Sequence, residues 1–149
     1  MTNRLLGLLF AAVLSIPAVA QKPLLPDDLL LSPTSLSDTA SIQQVAENTF
    51  EITRPVPSDP SVGSAFNFST FCIASYLAWN RGYSGWSLGM RKTEEAHPKE
   101  LHYVVALLND EDGVAALSRD LKWTEYSAYK QIRKLCVSFL KPQYLWPEK

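Results

Sequence analysis

The sequence is poor in the residues from which metal sites and catalytic centres are commonly built. It contains two cysteines and two histidines in 149 residues, and its 14 basic and 15 acidic residues nearly cancel. So few cysteines and histidines exclude a closed zinc site that leaves residues free for chemistry. The near-zero net charge argues against a protein that binds nucleic acid mainly through its charge. With 46% apolar residues, the chain instead has the composition of one small globular domain.

The sequence also lacks an apolar run long enough to cross a bilayer. Its longest run of apolar and small residues covers 12 positions, residues 5–16, whereas a membrane-spanning helix needs about 20. A basic residue precedes this run, a proline follows it, and Ala18 and Ala20 are the small residues that signal peptidase requires. Residues 1–20 therefore predict a secretory signal peptide, cleaved between Ala20 and Gln21. We expect export to a bacterial periplasm or to the medium, and no membrane span after cleavage.

Residues 21–44 form a leader that is rich in proline and leucine, and we expect it to be poorly ordered. Pro23, Pro26 and Pro33 each remove a backbone donor and disfavour helix before them. The leucines of this segment, Leu29 and Leu30 among them, are more numerous than a solvated linker needs. Two interpretations stay open: the leader lies loosely on its own domain, or it docks on a partner as a short linear segment.

Residues 45–149 are predicted to form a single small α+β domain. Alternating apolar and polar residues predict strands at 48–56, 86–90 and 101–108, and apolar residues at helical spacing predict helices at 64–81 and 124–140. Residues 114–121 fit either a fourth strand, which is favoured, or a short helix. We expect a two-layer sandwich, in which an antiparallel sheet of three to four strands carries two amphipathic helices on one face.

Cys72 and Cys136 lie on the apolar faces of the two predicted helices. In an exported protein, two cysteines that meet usually oxidise, so we predict a disulfide between them. Two separate buried thiols are the alternative. A redox or nucleophilic role is disfavoured, because an apolar helix face provides neither the exposure nor the positive surroundings that a reactive thiol needs.

The sequence nominates no catalytic residue, cofactor site or metal site. His97 and His102 are separated by Pro98 and miss the helical spacing of the zinc-protease motif. The acidic residues 110–112 lack the twelve-residue pattern of a calcium loop. Both segments are interpreted as solvated, and the chain has neither a Gly-x-Ser-x-Gly elbow nor a glycine-rich phosphate loop.

The function expected from this reasoning is binding without catalysis. The candidate binding surfaces are Tyr83 and Trp86, at the turn after the first helix, and Leu29 and Leu30 in the leader. Exposed aromatic side chains clustered at that turn would mark a binding groove. The leading hypothesis is an exported or envelope-associated domain that binds a protein partner and no nucleic acid. The alternative is a periplasmic inhibitor or immunity-type protein that binds an enzyme, and an enzyme with an unrecognised site is the third hypothesis.

Overall fold

The fold is built around an antiparallel five-stranded sheet with the strand order β1-β2-β4-β3-β5. The structure is a computed structural model that describes residues 25–26, 29–31, 41–57, 61, 63–91 and 99–148. The strands are β1 Ser41–Ala46, β2 Thr49–Pro55, β3 Gly85–Met90, β4 Glu100–Leu108 and β5 Ser127–Ala128. The helices are α1 Gly63–Asn80 and α2 Arg133–Cys136, with 3₁₀ turns at Glu111–Ala116, Tyr129–Ile132 and Pro142–Tyr144. The α+β class with an antiparallel sheet is confirmed, although the sheet has more strands than expected. The predicted signal peptide and its cleavage site lie outside the described residues.

Helix α1 covers one face of the sheet, and the core lies between them. Phe50 and Ile52 alternate with partly exposed residues along β2 and are fully buried. The antiparallel register places Phe50 opposite Val105 and Ile52 opposite Tyr103 on β4. Because directly opposed residues share a face of the sheet, these four buried side chains form a layer beneath α1.

Helix α1 ends at Asn80, one residue before the predicted end, in a turn that Gly82 forms. Gly82 has a φ of +80°, and its N–H donates to the carbonyl of Trp79 at 3.2 Å. The N–H of Tyr83 donates to the carbonyl of Ala78 at 2.9 Å, which completes a Schellman motif. A glycine suits this position because it adopts positive φ without the strain that a β-carbon would cause. The turn leads the chain directly into β3.

The predicted helix at 124–140 is wrong over its first half. Thr124 lies at the outer edge of β3: its N–H donates to the carbonyl of Leu88, and its hydroxyl accepts from the N–H of Leu88, both at 2.9 Å. Ser127–Ala128 then pairs with the start of β3 as β5. The open backbone groups of a strand edge therefore override the helical spacing of this segment. Only the 3₁₀ turn Tyr129–Ile132 and the short α2 retain helical character.

The favoured strand at 114–121 is also absent. The chain instead forms the 3₁₀ turn Glu111–Ala116, whose start is capped by Asp110: its carboxylate accepts from the N–H of Gly113 at 3.1 Å. Beyond the turn, the side chains of Leu121 and Trp123 lie over Gly89. This irregular segment covers part of the sheet's second face, which is the face away from α1, at β3 and β4.

Strand β1 was not predicted, and its first four residues lie in the segment assigned to the leader. Its residues are exposed except for the half-buried Ile42, so the apolar alternation that reveals a half-buried strand is missing. A turn at residues 47 and 48 joins β1 to β2. The sheet therefore starts at Ser41, a few residues before the expected beginning of the domain.

Part of the leader docks on its own domain. Leu30 forms an antiparallel bridge with Leu140; Leu31 donates its N–H to the carbonyl of Phe139 at 2.8 Å, and Lys141 donates to the carbonyl of Leu29 at 3.0 Å. The side chain of Leu29 is 3% exposed and belongs to the core. Of the two interpretations of the leader, contact with its own domain is the one that these residues adopt.

The burial of Leu29 gives a direct test of this docking. Leu29→Ala is expected to lower the free energy of unfolding by about 2–4 kcal/mol, because it removes a core side chain and leaves a cavity. Leu31→Ala is the matched control, since Leu31 is 39% exposed and its truncation should change stability by no more than about 0.5 kcal/mol. Urea unfolding of both variants provides the comparison. Equal small effects would show that the leader does not contribute to the core.

Candidate functional site

The predicted disulfide is present. The sulfur atoms of Cys72 and Cys136 are 2.07 Å apart and their Cα atoms 5.4 Å apart. Both residues are fully buried, and the bond joins the middle of α1 to the end of α2. Disulfides form and persist in oxidising compartments. The bond is thus consistent with an exported protein.

The turn after α1 does not expose the aromatic surface that would mark a groove. Trp86 is 2% exposed, its indole Nε1–H donates to the hydroxyl of Ser75 at 2.7 Å, and its ring centre lies 5.5 Å from that of Phe71. Tyr83 is half-buried and packs against the core. Since β3 turns the indole of Trp86 towards α1, this residue belongs to the core and not to the surface. Leu29 is buried in the same way, as described above.

A buried arginine anchors the start of α1, and sequence reasoning missed it. One terminal nitrogen of Arg54 donates to the carbonyl of Phe66 at 3.0 Å and to the hydroxyls of Ser69 and Thr70 at 2.7 and 2.8 Å. Burial lowers the pKa of Arg54 to about 10, although the neighbouring Tyr103 opposes this shift. Burial likewise raises the pKa of Tyr103, against the effect of Arg54. The sequence does contain one indication of this burial. Arg54 continues the alternation of the two buried residues before it on β2, so it lies on the same face of the strand.

A polar cluster lies on the second face of the sheet, on the side away from α1. Nε of Arg91 is 3.2 Å from a carboxylate oxygen of Glu51. Nδ1 of His102 lies 3.1 Å from the hydroxyl of Thr53 and 3.8 Å from the same oxygen of Glu51. In a catalytic relay, the two ring nitrogens of the histidine each hold a different partner. Here the hydroxyl and the carboxylate both approach one nitrogen, so the cluster is not arranged as a relay.

Of the remaining chemical candidates, those in the described residues are not brought together. His97 lies outside the described residues. Asp110 caps a 3₁₀ turn with its side chain. Within the described ranges, no group of three or more His, Cys, Asp or Glu side chains is placed to hold a metal ion. No helix in this part of the chain is long and apolar enough to span a membrane.

The two edges of the sheet differ in how much backbone they leave open. One edge strand is β5, whose two residues pair with the start of β3, and Thr124 and a bridge between Gly89 and Trp123 cover the outer side of β3 further along. The other edge is β1, and within the described residues no strand pairs with its outer side. Val45 on this strand is 48% exposed. β1 is therefore the longest free strand edge in the part of the chain that the structure describes.

Comparison of the chain with protein-family models, with curated proteins and with solved structures gave no match.

Proposed function

We propose that this protein is an exported, non-enzymatic binding domain that uses the free edge of β1 to bind a protein partner. The observation that carries the proposal is the exposed six-residue edge strand β1, since the other edge strand of the sheet, β5, has only two residues. An edge strand presents a row of backbone donors and acceptors that can pair with an added strand. In this mode the backbone hydrogen bonds supply affinity, and neighbouring side chains supply selectivity.

Export is supported by two independent features. The predicted signal peptide at residues 1–20 directs the chain out of the cytoplasm, and the buried Cys72–Cys136 bond suits an oxidising compartment. A disulfide across the core also keeps the framework behind the edge rigid. Such a framework favours binding, since less conformational entropy is lost when a partner strand is ordered.

A binding role also agrees with the arrangement of polar side chains. The cluster of Thr53, His102 and Glu51 shares the second face of the sheet with Gln43, which lies opposite Glu51 in the β1–β2 register. Its members provide donors and acceptors beside the free edge. A partner strand on β1 would thus meet polar side chains on this face, where they contribute selectivity rather than catalysis.

Site-specific cross-linking tests the proposal. A photoreactive amino acid replaces Val45 on β1, and the matched control carries it at Val137 after α2, where the native residue is similarly exposed, 45% against 48%. In the cells that produce the protein, irradiation is expected to give protein adducts from position 45 and not from position 137. Mass spectrometry then identifies the adduct. If the adduct contains an enzyme whose activity falls on binding, the protein is an inhibitor, which is one form of the proposed function. Adducts at neither position would contradict the proposal.

A further inference from the structure

We infer that the free edge of β1 binds a second copy of this chain, so that two sheets join in an antiparallel β1–β1 pairing. The inference rests on the proposed function, because it names the partner that the same edge accepts. It starts from the composition of the strand. β1 has the sequence SIQQVA and contains neither a charged residue nor a proline.

Such a composition is unusual for an edge that stays unpaired. Edge strands in soluble proteins are commonly protected by lysine, by proline, by inward-pointing charges or by a cover. Among the described residues, the one such device at β1 is a bulge between Gln44 and Ala46, which interrupts regular pairing at Val45. The stretch Ser41–Gln44 before the bulge is left regular and unprotected within the described part of the chain.

The uncharged edge is compatible with its own copy. Because Ser41–Ala46 carries no charged side chain, two copies of the edge meet without the like-charge repulsion that charged edge strands would impose. A two-fold axis perpendicular to β1 makes the two strands antiparallel and gives the self-complementary interface of a symmetric dimer.

The regular stretch before the bulge sets the register. With Gln43 opposite the same residue of the second copy, Ile42 lies opposite Gln44. Directly opposed residues share a face in antiparallel pairing, so this register places both copies of α1 on the same side of one continuous sheet. The Gln43 side chain lies on the other side and is exposed. The two Gln43 amides can therefore pair as donor and acceptor away from the helix layer.

Sedimentation equilibrium of the processed, disulfide-bonded protein tests the inference. We expect a weak monomer–dimer equilibrium between micromolar and millimolar concentrations, because so short a contact falls at the low end of interface sizes. Gln43→Lys and Gln43→Glu each place like charges opposite one another and should weaken the dimer about tenfold or more. An equimolar mixture of the two variants should form a heterodimer at least as strong as the wild-type dimer, because opposite charges then face each other.

Two controls keep the test decisive. Val137→Lys changes an exposed residue far along the chain from β1 and should leave the dimer unchanged. Urea unfolding curves should show that both Gln43 variants stay folded, with Gln43→Glu slightly less stable than Gln43→Lys because Glu51 lies directly opposite position 43 on β2. A protein that stays monomeric at every concentration, or a dimer that neither Gln43 variant weakens, would overturn the inference. The cross-links from position 45 test the proposed function separately, because adducts with a different protein would support it even for a monomer.

Discussion

Replacing Cys72 and Cys136 together by alanine is expected to lower the free energy of unfolding by about 4 kcal/mol. The bond links positions 64 residues apart, and a cross-link that closes so long a loop removes considerable entropy from the unfolded chain. The loss would be a large part of the stability of an ordinary small domain. Urea unfolding at neutral pH, with the wild-type protein kept oxidised, measures the difference.

Reduction provides the matched control for this prediction. A reductant should destabilise the wild-type protein by nearly the same amount and should leave the double variant unaffected, because the variant has no bond to break. The absence of a free cysteine in the described residues means that no other thiol complicates the comparison. A difference below about 1 kcal/mol would show that the bond does not constrain the unfolded chain as the structure implies.

Trp86→Ala is expected to cost about 3–5 kcal/mol, the range for removing a large aromatic side chain from a core. The indole is 2% exposed, packs near Phe71 and donates to Ser75. Its removal leaves both a cavity and a buried hydroxyl that has lost a donor. Thermal or urea unfolding measures the loss of stability, and the change in tryptophan fluorescence follows the same transition through the other indoles.

Trp86→Phe separates the packing of this residue from its hydrogen bond. The phenyl ring retains most of the contact with Phe71 but cannot donate to Ser75, so a smaller loss of about 1–2 kcal/mol is expected. A surface residue would behave differently, because both substitutions would then cost less than about 0.5 kcal/mol. That result would show that Trp86 is a surface residue, as the binding role suggested by the sequence alone requires.

The sequence predicted the elements whose patterns are set by burial on one face or by turn chemistry. Phe50 and Ile52 alternate because only one face of β2 meets α1. Gly82 ends α1 because the turn requires a positive φ. These are local causes, and local patterns in the sequence record them.

The elements that the sequence missed depend on distant partners. β1 has no apolar alternation because little covers it, and only its pairing with β2 makes it a strand. Residues 124–128 have helical spacing, yet hydrogen bonds to the outer side of β3 hold Thr124 and the two residues of β5 in an extended form. Gly85 allows this close approach, since a β-carbon there would lie 2.3 Å from the carbonyl oxygen of Ser127.

The same distinction between local causes and distant partners holds for the candidate site. The disulfide was predictable, because the two cysteines share the apolar positions of their segments. The pair of Glu51 and Arg91 was not, because it joins the middle of β2 to the residue after β3, and the sequence does not specify which strands are neighbours. The free edge of β1 depends on strand order as well, which single-sequence patterns do not record.

The distribution of cross-links between positions 45 and 137 tests the central claim most directly. The claim is that this domain acts through the free edge of β1, and the two positions are nearly equal in exposure. Adducts formed at position 45 and absent at position 137, with either a second copy or another protein, are the predicted result. Adducts at position 137 alone, equal adducts at both positions, or none at all would contradict it.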